Sequence, residues 1–98
     1  MSLAQIQKED RRYQILYLLS KEPDYAMNDI LMHKALKMIG HGVDPDLLRT
    51  DLHWLEMQGL LKNESVGSFT VSKINRRGVS VAEGDAFIPG ISRSTPEE

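Results

Sequence analysis

The chain has 98 residues, with 12 Lys and Arg against 14 Asp and Glu, no cysteine and 41% hydrophobic residues. A chain of this length buries about 65% of its unfolded surface, which supports one modest core. This composition excludes wholesale disorder, a disulfide framework and a thiolate metal centre, and a net charge of −2 lacks the basic excess that would by itself point to nucleic acid. No apolar run is long enough to span a membrane, and the first residues lack the basic and apolar regions of a secretory signal. The expectation is a cytoplasmic protein with no membrane partner.

Residues 4–20 have helical spacing, with Ile15, Leu16 and Leu19 on one face, and the run stops at Ser20-Lys21-Glu22-Pro23. A second stripe, Ile6, Tyr13 and Tyr17, lies on the opposite face. One apolar face serves a core and a second asks for a partner, so this stripe, with Val79 and Val81, is the candidate surface of a homodimer. A second helix is expected over 26–39, with Met27, Leu31, Ala35 and Met38 inward and Asp29, His33 and Lys37 in water. Gly40-His41-Gly42 ends it. A third, over 44–58, is announced by Asp44 as N-cap, Pro45 at the first position and Asp46 in the first turn. Leu48, Leu52 and Leu55 share its inner face, and Gly59 closes it.

From Leu60 to Ile74 the period becomes two. Phe69, Val71 and Lys73 alternate with Thr70, Ser72 and Ile74 behind a two-residue Gly67-Ser68 turn, which predicts a β-hairpin across 60–74. Asn75 caps a short helix expected over 76–83. Residues 4–84 then form one domain and 85–98 an extended tail, with Phe87, Ile88 and Ile91 available to dock. The expected core is Ile15, Leu16, Leu19, Met27, Leu31, Leu48, Leu52, Leu55, Leu60 and Val71.

Three helices followed by a hairpin is the element order of a winged helix-turn-helix. The run from Leu48 to Leu61, ending Leu55-Glu56-Met57-Gln58-Gly59-Leu60-Leu61, resembles a recognition helix and its exit. Val71 to Gly84 resembles the end of a wing and the helix after it, with Asn75 where a threonine is usual. With the Ile88-Pro89-Gly90-Ile91 tail, the chain is similar over roughly residues 10–92 to small winged-helix proteins of Mu-like phages and prophages, grouped with arsenic-repressor-like regulators. The resemblance implies a mostly α fold with a small β-hairpin. It also implies a DNA-binding transcriptional regulator that needs no cofactor.

With Leu48, Leu52 and Leu55 inward, the third helix turns Asp46, Arg49, Thr50, His53 and Met57 outward. Arg49 suits a guanine edge, and Thr50 and His53 suit bases or phosphates. The plain alternative is a solvated helix face, and the charge argues for it: between Asp44 and Gly59 stand four acids and one base. Residues 62–77 hold Lys62, Lys73, Arg76 and Arg77 against Glu64, a set suited to backbone contacts from the wing. Lys8, Arg11 and Arg12 form a second cluster, and Lys34 and Lys37 a third.

Trp54 and Leu47 share one flank of the third helix and are expected beneath the hairpin. Left exposed, Trp54 with Ile6, Tyr13 and Tyr17 would instead suit a phage or host protein, making the chain an interaction adaptor in phage assembly or packaging. His33, His41 and His53 have no ligand spacing, and no nucleophile–base constellation stands out. The expectation is no metal, no cofactor and no catalysis.

Overall fold

In the computed structural model, which describes residues 2–93, the elements follow one another as α1 (Leu3–Lys21), β1 (Ala26–Asn28), α2 (Asp29–Met38), α3 (Pro45–Met57), β2 (Leu61–Val66), β3 (Phe69–Ile74) and α4 (Arg76–Ala82). Each helix starts at a side chain that accepts an otherwise orphaned backbone N–H. Ser2 accepts from Gln5, Asn28 from Leu31, Asp44 from Leu47 and Asn75 from Gly78. Each such cap contributes about 1 kcal/mol. Gly67, at φ 61°, opens the turn between β2 and β3, as a type II′ hairpin requires.

The sheet is antiparallel in the order β1-β3-β2, with Ala26 opposite Lys73, Leu61 opposite Ile74 and Val66 opposite Phe69. Its inner face carries Met27, Leu61, Ser72 and Ile74, all buried, against Ile15, Leu16 and Leu19 of α1, Met32 and Leu36 of α2, and Leu48, Leu52 and Leu55 of α3. The result is a mostly helical fold with a small open sheet, arranged as a winged helix-turn-helix in which α2 and α3 are the pair and β2–β3 the wing. α4 closes the base of the wing. Gly78 is buried there, so close to the Leu60 carbonyl and the Ile74 side chain that a Cβ would overlap both.

Four expectations are corrected. Residues 26–28 form a strand, so α2 begins at Asp29. The phase of α2 is also different: Met32 and Leu36 are buried, whereas Leu31 is half-exposed and Met38 is 86% exposed. Asp29, expected in water, is buried and accepts the Thr70 N–H at 3.3 Å, tying the start of α2 to the wing. In β3 the alternation holds with its faces exchanged, since Ser72 is buried and Val71 lies on the outer side.

The segment after Gly84 returns over α1. Ile91 is buried, Ile88 packs on the core and the Ser92 N–H reaches the Glu9 carbonyl. Phe87 stays half-exposed under the Arg93 guanidinium. Residues 94–98 of the tail expected over 85–98 lie outside the described residues. Among the described residues, no helix is long and apolar enough to cross a membrane.

Candidate nucleic-acid interface

The outward row of α3 is as its spacing dictates. Asp46, Arg49, Thr50, His53 and Met57 are all exposed. Arg49 occupies the centre of this surface. It lines the cleft between α2 and α3 with Ile30, His33 and Lys34, and also the hollow between α3 and the wing with His53, Glu56, Asn63, Ser65 and Thr70. Its Nη1 donates to Asp46 Oδ1 at 3.1 Å, and its Nε stands 3.9 Å from Asp29 Oδ2. Thr50 Oγ1 donates to the Asp46 carbonyl at 3.1 Å, which leaves its lone pairs outward. Glu56 is turned toward the wing, where Asn63 Nδ2 donates to it at 3.0 Å.

Asp51 belongs to the opposite side of α3. It is 1% exposed and accepts the Arg11 Nε–H of α1, with Arg12 Nε 3.7 Å from its other oxygen. One of the four acids counted against α3 is therefore internal and paired. The same geometry consumes two of the three bases of the α1 cluster. The Arg12 guanidinium lies 3.8 Å over the Trp54 ring and donates to the Gly90 carbonyl at 3.0 Å. Burial pulls Arg12 below its ordinary value and Arg11 reinforces this, while Asp51 opposes it; an arginine so placed remains a cation.

Trp54 is half-buried, with Arg12 over its ring and the returning tail against it at Gly90. Leu47, on the same flank, is 40% exposed. The stripe on α1 is divided. Tyr13 Oη donates to the Ala82 carbonyl and belongs to the contact with α4, whereas Ile6 and Tyr17 remain half-exposed.

The wing cations lie apart from the α3 row. Lys62 and Lys73 face each other on the outer side of the sheet, since their neighbours Asn63 and Ser72 point inward. Arg77 Nη1 donates to the Gln58 carbonyl at 2.7 Å, closing the C-terminal end of α3, and Arg76 projects from the start of α4. The three histidines are dispersed. His41 is held by Asp10 at 2.8 Å, His33 lines the α2–α3 cleft and His53 faces the wing. Among the described residues, no group of three or more His, Asp or Glu side chains is arranged to hold a metal ion. The Asp51–Arg11 pair was missed by sequence reading, and its signal, a base and an acid 40 residues apart, is invisible without the fold.

No family model matches the chain. It is 37% identical over 78 residues to an uncharacterized protein of Haemophilus influenzae, covering 79% of this chain and 76% of that one. It is 36% identical over 88 residues to the uncharacterized protein gp26 of Escherichia phage Mu, covering 90% of this chain and 91% of the phage protein. With that coverage at both ends of the comparison, the chain belongs to the family of Mu gp26.

Proposed function

We propose that this protein binds double-stranded DNA through the outward face of α3 and the adjoining wing, as a cytoplasmic, arsenic-repressor-like transcriptional regulator of phage or prophage origin. The observation that carries the reading is the inward turn of Asp51. With that acid paired to Arg11, the outward row retains Asp46 beside Arg49, and Asp46 sits in the first turn, where the helix dipole already favours an acid. Arg49 reads a guanine edge by exchanging Asp46 for the base. Thr50 and His53 contact neighbouring bases or phosphates, and Lys34 contacts the backbone at the rim of the cleft. The protein acts by binding, without catalysis. A homodimer fits the Ile6 and Tyr17 side chains that α1 leaves half-exposed, and it would present two such rows to one duplex.

Fluorescence titration against a random duplex pool at about 50 mM salt tests the reading, because even non-specific binders register there at tens of micromolar or below. Arg49→Ala should then cost about 1–3 kcal/mol on the preferred site and little elsewhere. A second reading, an adaptor for a phage or host protein, is favoured by one observation: α2 turns Leu31 and Met38 to water. Absence of duplex binding in that titration would select it.

A further inference from the structure

Three cations that the α3 surface leaves out meet on the other side of the sheet. The register sets Lys62 directly opposite Lys73. Like charges so placed destabilise a ladder, and neither ammonium has an ion pair or hydrogen bond with a described residue. Arg76, exposed at the start of α4, has none either.

Beside them Tyr25 takes a φ of 58°, the left-handed region that bulky side chains rarely adopt. Two backbone hydrogen bonds hold it there, from its N–H to the Glu22 carbonyl and from the Ile74 N–H to its own carbonyl. The ring is half-exposed in a hollow shared with Arg76. That hollow meets, at Ile74 and Asn75, a second one lined by Lys62 and Lys73. Glu64 is the one carboxylate lining either, and it makes no ion pair with a lysine.

We infer that this outer face binds single-stranded nucleic acid, with phosphates on Lys62, Lys73 and Arg76 and an unstacked base on Tyr25. A cationic track beside an exposed aromatic ring is the chemistry by which single strands are held. A duplex keeps its base faces stacked inside and would leave Tyr25 without a role. An acidic peptide would use the cations but not the ring. The site is separate from the α3 row and stands whether or not that row binds duplex.

Anisotropy of a labelled oligothymidylate of about a dozen nucleotides, at about 50 mM salt and upward, tests this. The full chain should bind it. Lys62→Gln with Lys73→Gln should weaken binding about tenfold and lower the salt slope by about 1.4, the value for two phosphate contacts on a single strand. The melting temperature should stay at or above wild type, because the opposed charges are gone. Tyr25→Asn should weaken binding about fivefold or more at unchanged or higher melting temperature, since asparagine tolerates the left-handed region. Arg49→Ala should leave single-strand binding unchanged. Failure of the wild type to bind, indifference to the lysine or tyrosine changes, equal loss in Arg49→Ala, or displacement of the oligonucleotide by polyglutamate at equal charge would each overturn the inference.

Discussion

Asp51 and its neighbours show how one side chain alters the character of a whole helix. An acid on a helix is solvated by default, and Asp51 departs from that because Arg11 meets it inside. Removing one partner of such a pair leaves a buried charge uncompensated, so Asp51→Ala should lower stability by about 3–5 kcal/mol in urea unfolding. The double variant Arg11→Met with Asp51→Leu should recover part of that loss, because apolar packing replaces the Arg11–Asp51 pair at little cost while Arg12 still lacks its carboxylate. A single variant within about 0.5 kcal/mol of wild type would mean the pair is not internal in solution. Gly78 supplies a steric counterpart. Its Cβ position is occupied by Leu60 and Ile74, so Gly78→Ala should cost about 1–3 kcal/mol through overpacking, read in the same unfolding experiment.

At the scale of elements, what the sequence revealed depended on how local each signal was. The starts of α3 and α4 were legible because Asp44 and Asn75 cap within three residues of themselves, and the hairpin because Gly67-Ser68 fixes its turn. The outward row Asp46, Arg49, Thr50, His53 and Met57 followed from the periodicity of α3. β1 was not legible. Three residues gain their strand identity only by pairing with β3, more than 40 positions away. Once Met27 joins that strand, the stripe beginning with it loses its anchor, and Asp29, Met32 and Leu36 set the phase of α2 instead. Two apolar stripes competed on that helix, and tertiary contact decided between them. The phase is testable by substitution. Leu36→Ala should cost about 2–5 kcal/mol, whereas Leu31→Lys and Met38→Lys should stay within about 0.5 kcal/mol. The position of Trp54 was hidden for the same reason, because its cover comes from Arg12 and the tail. Trp54→Ala should accelerate hydrogen exchange at Ile91 and Ser92, whose amides bond to Ile88 and Glu9, before it affects the sheet.

For the whole molecule, a net charge of −2 conceals an uneven distribution. Acids are used as caps and internal partners at Asp44, Asp29 and Asp51, while Lys62, Lys73 and Arg76 have no ion pair among the described residues. Pairing through Ile6 and Tyr17 should give a sedimenting mass near twice the 11.1 kDa of one chain, reduced to one by Ile6→Lys with Tyr17→Lys. A monomer at every concentration would remove the dimer and leave the α3 row unaffected. Amide chemical-shift mapping with a short random duplex shows most directly whether this row meets duplex DNA. Shifts should concentrate on residues 46–57 and on the wing near Ser65 and Thr70. Shifts confined to Leu31 through Met38, or none at saturating duplex, would contradict duplex binding by this row.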